Sequence, residues 1–289
     1  MTIYEAIIQP FVDYGFMRRA IAACIIMAVS SAPLGVFLVV RRMTLIGDAV
    51  SHAILPGAAI AFIFTGTAIL PMAFSGLAAG IIMAVIAGVI TRVTEIKEDA
   101  SFTAAYMTSL AIGVMIISLK GSSVDLLHLL FGNVLAVDKE SLIFITSVAT
   151  LSLLTLAIIY RPLIMECFDS GFLKVEQAKG AVYHQLFLIL IILNLVASFQ
   201  ALGTLMAVGM MILPAIATRF WTKNIDNAII LSIIFAVFAA IIGLLISYHF
   251  NLASGPAIVL TASSWYLFSV LFGACDGIII RLLPRKHFH

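Results

Sequence analysis

Two side chains that can bind a transition-metal ion lie four residues apart in an apolar stretch of the sequence. Asp48 and His52 belong to the segment Gly-Asp-Ala-Val-Ser-His at 47–52. On a helix, residues four apart share a face, with Cβ atoms about 5–6 Å apart, so the carboxylate and the imidazole can bind one ion. This ligand pair suits zinc, manganese or iron(II), and the lack of thiolates nearby argues against copper(I).

Two other interpretations of Asp48 and His52 stay open. The two side chains could simply pair with each other, or they could relay protons, as Asp and His chains do in pumps and secondary transporters. Two ligands are too few for a tight metal site, but a two-fold dimer with its axis along the pore would supply two of each. We therefore predict a metal site at Asp48 and His52, to which a second protomer could add the same two ligands.

The composition places this pair inside a membrane. Of the 289 residues, 63% are hydrophobic and only 10% are charged, and the mean hydropathy is +1.19. Soluble domains have about 25% charged residues, so this chain needs a non-aqueous solvent. Asp48 is the one charged residue well inside an apolar stretch, at a cost of about 2.5–3.5 kcal/mol at mid-bilayer, and it therefore needs a cavity, a partner or a function.

Nine apolar stretches approach the length of about 20 residues that a helix needs to cross a bilayer core. They cover residues 17–40, 45–65, 68–91, 102–119, 142–160, 185–199, 201–218, 228–247 and 257–272. The sixth and seventh are short and only a turn apart, so they could form one bent hairpin and reduce the count to eight. The sequence thus predicts an all-α polytopic membrane protein with about nine transmembrane helices, in one domain over residues 1–289.

The positive charges predict the orientation, because cytoplasmic loops retain Lys and Arg. With nine spans, most of the 16 Lys and Arg fall in loops on the side of the C-terminus. Only Arg18, Arg19, Lys120 and Lys139 fall on the other side. We therefore expect an outside N-terminus and a cytoplasmic C-terminus.

Residues 161–184 form the longest charged segment on the predicted cytoplasmic side. Its charged residues include Glu166, Asp169, Lys174, Glu176 and Lys179, and Gly171 and Gly180 punctuate it. The segment is either a disordered loop or a helix that docks a cytoplasmic partner. A second long segment, residues 120–140, lies on the outside and has the apolar run typical of an interfacial or re-entrant helix.

Several functions lack the residues that they require. No G-x-x-x-x-G-K-S/T phosphate loop and no G-x-S-x-G elbow occurs, so neither ATP binding in that mode nor an intramembrane hydrolase is favoured, and we expect no enzyme activity in this chain. A net charge of +2 without a basic run argues against nucleic acid as a partner. A self-sufficient proton-coupled metal transporter or channel remains the alternative function.

Residues 41–57, with the sequence RRMTLIGDAVSHAILPG, closely resemble the most characteristic segment of one family. This family comprises the permease subunits of bacterial zinc, manganese and iron(II) ABC importers. Residues 125–133 (DLLHLLFGN), residues 202–219 and the Ser-Gly pair at 254–255 resemble it too. The resemblance covers nearly the whole chain.

The resemblance implies more than the composition does. It implies a fold like that of the cobalamin and haem importer permeases, a homodimer in the bacterial plasma (inner) membrane, two cytoplasmic ABC ATPase subunits and an extracytoplasmic solute-binding protein. It assigns metal passage to Asp48 and His52. It places a coupling helix for the ATPase at residues 169–180, and the candidate coupling residues are Asp169, Lys174, Glu176, Lys179 and Gly180. No permanent cofactor is implied, and the cargo is zinc or manganese, possibly iron(II), with coordination number slightly favouring zinc.

Overall fold

Every regular element that the computed structural model describes is a helix, which confirms the predicted fold class. The structure describes residues 4, 8–66, 68–119, 134–168, 180–275 and 277–282. Within them the helices are α1 (Gln9–Asp13), α2 (Gly15–Val40), α3 (Thr44–Ala53), α4 (Leu55–Thr65), α5 (Ile69–Val93), α6 (Glu98–Leu119), α7 (Lys139–Phe168), α8 (Gly180–Leu202), α9 (Thr204–Thr218), α10 (Ile225–Phe250), α11 (Ser254–Phe272) and α12 (Ile278–Leu282), with a short 3-10 helix at Val134–Ala136.

In the described part of the chain, eight segments are long and apolar enough to cross a membrane. The pair α3 and α4 counts as one of them, and α9 is a shorter apolar helix of 15 residues, about 22 Å long. The sixth predicted span proves too short, because α8 continues through Gln200 to Leu202. The turn itself is at Gly203, whose φ of 85° favours glycine.

Helix α9 packs against α2. Near its start, Met206 packs in the same core as Met17, and near its end Ala215 packs against Val36. The two backbones touch between these points, since a Cβ on Gly35 would lie 1.8 Å from the carbonyl oxygen of Met211. Helix α9 reverses direction after the turn at Gly203 and packs beside α8 as well as α2, and it is shorter than the eight segments that can cross a membrane.

The segment that carries Asp48 and His52 bends between α3 and α4. Pro56 stands in the first turn of α4 and has no N–H to give to the carbonyl of His52, four residues earlier. Small residues let the neighbours approach: a Cβ on Gly57 would lie 2.1 Å from the carbonyl oxygen of Ser75 in α5, and Gly113 of α6 faces Pro56. Helices α5 and α6 therefore hold the bend closely.

The segment expected to contact the ATPase is only partly described. Helix α7 continues to Phe168 and α8 begins at Gly180, so both ends of the predicted segment 161–184 are helical. The candidate coupling residues Asp169, Lys174, Glu176 and Lys179 lie outside the described residues, and Gly180 is the first residue of α8. Residues 120–133 of the predicted outer segment also lie outside them.

Candidate metal site

Asp48 and His52 face each other on one side of α3, as the spacing predicts. The distance from His52 Nε2 to Asp48 Oδ1 is 3.7 Å. One ion with ligand bonds of about 2.1–2.2 Å places two ligand atoms roughly 3.0–3.6 Å apart at octahedral or tetrahedral angles. A small side-chain rotation would therefore bring both atoms to a single ion.

Among the described residues, this is the one side of α3 that is left open. Between Thr44 and Ala59, only Leu45 and Asp48 are exposed, and His52 is partly exposed. The side chain of Asp48 is 56% accessible and that of His52 is 27% accessible, although the span that contains them is among the most buried in the described chain. A carboxylate facing lipid would be costly. Another protein surface or a water-filled path must therefore cover this side.

One protomer supplies too few ligands for a tight site. Among the described residues, no group of three or more His, Cys, Asp and Glu side chains is placed to hold a metal ion. Asp48 and His52 are two ligands, whereas protein-bound zinc takes about four and manganese takes more. A closed coordination shell needs ligands from outside the described part of this chain.

Tyr106 of α6 stacks on the His52 ring, which sequence reasoning missed. The ring centroids are 6.0 Å apart, with 29° between the planes. A signal was present in the sequence, because Phe102, Tyr106, Ser109 and Gly113 recur at helical spacing and form the stripe of α6 that faces α3 and α4. Tyr106 therefore restricts the orientation of the imidazole from one side.

Neither ring nitrogen of His52 has a hydrogen-bond partner among the described residues. Nε2 is too far from Asp48 for a hydrogen bond, and Nδ1 is buried without a partner there. Metal-binding histidines usually donate their second N–H to an acceptor, which increases their basicity and fixes the ring. Without that support the imidazole is a weaker ligand, which suits a site that must release its ion.

Two serine hydroxyls donate hydrogen bonds to backbone carbonyls on either side of His52. The Ser51 hydroxyl donates to the carbonyl of Asp48 at 2.7 Å, and the Ser109 hydroxyl of α6 donates to the carbonyl of Ala53 at 3.1 Å. The second of these hydrogen bonds joins α6 to the bend where Pro56 interrupts the helical pattern. Motion of α6 would therefore move both the His52 backbone and, through Tyr106, its ring.

The described chain matches known proteins along almost its full length. Residues 13–273 match the ABC 3 transport family. The chain is 36% identical to the manganese import system permease protein ScaB of Streptococcus gordonii, over 98% of this chain and 99% of that protein. It is 31% identical to the chelated iron transport system membrane protein YfeD of Yersinia pestis, over 93% and 89% of the two chains.

A solved structure has the same fold. A chain of PsaBC from Streptococcus pneumoniae, in complex with Fab, superposes with a TM-score of 0.82 and 33% sequence identity. The match covers 94% of this chain and 97% of that chain. The likeness thus includes the helices that carry the Asp48–His52 pair as well as those that surround it.

Proposed function

This chain belongs to the ABC 3 transport family and is the permease subunit of a metal-importing ABC transporter, and on that premise we propose that the ion passes between Asp48 and His52 of two copies of the chain. The observation that carries the proposal is the open side of α3. It leaves a carboxylate and an imidazole 3.7 Å apart and partly exposed on α3, whose other sides are buried by described residues.

A second copy of this chain is the covering that fits best. A two-fold axis beside α3 brings together two carboxylates and two imidazoles, which is enough for a four-ligand site. It also removes Asp48 from lipid and leaves it facing an ion path. A contact with lipid would leave the charge unpaired, and among the described residues the Asp48 carboxylate has no ion pair or hydrogen bond with another helix of the same protomer.

The energy for transport must come from partner subunits. The sequence has no phosphate-binding loop of the G-x-x-x-x-G-K-S/T type. We propose that two cytoplasmic ATPase subunits dock on residues 169–180, where Asp169, Lys174, Glu176 and Lys179 supply charges. ATP-driven closure of these subunits would tilt the spans at the dimer axis and switch the ion site from outward to inward access. An extracytoplasmic solute-binding protein would deliver the ion.

The orientation that fits this scheme has the N-terminus outside and the C-terminus in the cytoplasm of a bacterial inner membrane. It places residues 169–180 on the cytoplasmic side. The excess of Lys and Arg on that side supports it.

We propose Mn²⁺ as the first candidate cargo. A carboxylate and an imidazole suit manganese, iron(II) and zinc alike. Coordination number alone slightly favours zinc, but relatives similar over nearly the whole chain are named for manganese and for chelated iron. The ion is cargo that must leave again, so the incomplete support of His52 agrees with transient binding.

Uptake by the reconstituted complex tests this function. Proteoliposomes that contain the chain and its ATPase are prepared with the ATPase facing the lumen, and the solute-binding protein is added outside. They should accumulate Mn²⁺ only when the lumen contains ATP. An excess of Zn²⁺ or Fe²⁺ in competition ranks the three ions. The chain alone under a proton gradient should move no metal. Metal movement driven by that gradient without the ATPase would instead support a secondary transporter.

A further inference from the structure

Four ionisable side chains from four helix ends meet at the end of the bundle where α2 and α7 finish. They are Arg41, Glu98, Glu166 and His184, which we call the four-helix junction. Arg41 Nη2 lies 2.6 Å from Glu166 Oε2, and Arg41 Nη1 lies 2.9 Å from His184 Nδ1. His184 Nε2 in turn lies 3.0 Å from Glu98 Oε1. The junction therefore links α2, α6, α7 and α8.

The neighbours of His184 determine which of its ring nitrogens carries the proton. A guanidinium has only N–H donors, so Nδ1 of His184 must accept from Arg41. The proton of the neutral ring is then on Nε2, which donates to Glu98. Glu166 Oε1 also lies 3.7 Å from the same Nδ1, beyond hydrogen-bond distance. His184 thus stands between two acidic side chains and one basic side chain.

The pair at the centre of the junction is buried and poorly aligned. The side chain of Arg41 is 7% accessible and that of Glu166 is 14% accessible. Although Arg41 Nη2 and Glu166 Oε2 are in contact, neither atom has an aligned hydrogen-bond partner among the described residues. The guanidinium also lies 5.0 Å from the centre of the Phe187 ring, and its Nε donates to Cys167 Sγ. The charges are therefore held in place without the best hydrogen-bond geometry.

This arrangement is a poor design for stability alone. Removing two charges from water has a large cost, and apolar residues of similar volume often replace a buried ion pair with no loss or with a gain of stability. A role in specifying or switching a conformation is the better-attested reason to keep such a pair. The buried Arg41–Glu166 contact, which lacks aligned hydrogen bonds among the described residues, fits such a role.

The junction connects the proposed ATPase contact to the ion site. In sequence, Glu166 and His184 stand on either side of residues 169–180. Arg41 directly follows α2, and a tight turn in which Arg42 has φ of 59° leads into α3, where Asp48 lies about one helical turn after the first residue. Glu98 begins α6 two turns before Tyr106, which stacks on His52.

We propose that the four-helix junction transmits movement of residues 169–180 to the Asp48–His52 pair, with Arg41 and Glu98 as positioning residues. This inference rests on the proposed function. When α7 and α8 shift, Glu166 and His184 pull on Arg41 and Glu98. The ends of α2 and α6 then move α3 and Tyr106, and so change the separation of the two metal ligands.

Paired apolar substitutions separate transmission from stability. In the variant Arg41→Met/Glu166→Leu no charge of the pair remains, so no unpaired buried ion is left to prevent assembly. The complex of this variant with its ATPase and solute-binding protein is compared with wild type in proteoliposomes. Mn²⁺ uptake and ATP hydrolysis are measured on the same vesicles, and the quantity of interest is the number of ions imported per ATP.

We expect the double variant to hydrolyse ATP at nearly the wild-type rate while ions per ATP fall at least about fivefold, the lower end of typical coupling effects. A residue with a purely structural role would change the amount of assembled complex but not this ratio. An unchanged ratio in the assembled double variant would overturn the proposal.

Glu98 gives an independent test if the double variant fails to assemble. Glu98 is partly exposed, so Glu98→Ala should assemble, and it removes the acceptor of His184 Nε2. Glu98→Gln keeps an acceptor oxygen and should retain the wild-type ratio, and Asp99→Ala is the matched control, exposed in the same helical turn. A wild-type ratio in Glu98→Ala would contradict transmission. If wild type itself imported no Mn²⁺ with ATP, the proposed function would fail first.

Discussion

The Nε2 atom of His52 lies 3.7 Å from Oδ1 of Asp48, on the one side of α3 that the described part of the chain leaves exposed. These two atoms are not hydrogen-bonded to each other. Their separation is close to that of two ligands of one ion.

Loss of either ligand should stop transport without preventing assembly. Asp48→Ala and His52→Ala should each lower Mn²⁺ uptake more than about 100-fold, because loss of even an outer partner of a metal ligand costs about 10–100-fold. Assembly should persist because Asp48 packs against little of its own protomer. Leu45→Ala is the control, since Leu45 is exposed on the same side of α3. Wild-type uptake by Asp48→Ala vesicles would refute the assignment.

Mixed dimers test whether both copies contribute to one site. Wild-type and Asp48→Ala chains carrying different affinity tags are co-expressed, and complexes with one of each are isolated through both tags. A shared site should leave far less than half of the wild-type uptake, because every ion then lacks one ligand. Two independent sites would retain half, and that result would exclude the shared site.

The aromatic ring on His52 should affect metal affinity more than assembly. Tyr106→Phe keeps the stacked ring, so its half-saturating Mn²⁺ concentration should remain near that of wild type. Tyr106→Ala frees the imidazole and should raise this concentration by about tenfold, as loss of outer-shell support does. Met107→Ala, at the next and exposed position, is the control. Equal values for the Ala and Phe variants would show that the ring does not orient His52.

Replacement of a glycine by alanine should lower the stability of the protein at Gly35, where another backbone is close, but not at Gly88, where there is open space. In Gly35→Ala, the new Cβ would lie 1.8 Å from the carbonyl oxygen of Met211, and such overpacking costs about 1–3 kcal/mol. Gly88→Ala adds a Cβ with nothing within 4 Å and should be neutral, or stabilising by up to about 1 kcal/mol through helix propensity. Thermal unfolding in detergent compares the two. Equal shifts for both variants would contradict the contact between α2 and α9.

Asp138 should contribute stability that depends on pH. It precedes α7, and its Oδ1 accepts the N–H of Ser141 at 2.8 Å, as an N-cap residue does. Hydrogen bonds from the Ser141 hydroxyl and N–H, with a smaller effect of Arg19, lower the pKa of Asp138. Because the folded-state pKa is lower than the unfolded value, this stabilisation is present near neutral pH and is lost as the pH falls through the folded-state pKa.

Asp138→Ala should therefore lower stability by about 1 kcal/mol at pH 7, the usual value of an N-cap. Thermal unfolding in detergent as a function of pH should show the difference from wild type disappearing in acid. Asp138→Asn keeps an N-cap acceptor and should show little loss at pH 7. A constant difference between Asp138→Ala and wild type down to low pH would contradict the role of the carboxylate.

Much of the helical framework could be predicted from local sequence. The first span was expected at 17–40 and is found at Gly15–Val40, because an apolar run bounded by Arg41 and Arg42 forms a helix of that length in a membrane. The error at the sixth span has a local cause too. Gln200 interrupts the apolar run, but a helix satisfies its own backbone hydrogen bonds and continues through a single polar residue.

What the sequence determined by itself is the pairing of Asp48 with His52, because residues four apart on a helix share a face whatever surrounds it. Tertiary structure alone decided that this face is the open one, that Tyr106 stacks on His52, and that His184 lies between Arg41 and Glu98. These relationships join helices far apart in the chain. They depend on how remote helices pack, which the periodicity of a single helix does not encode.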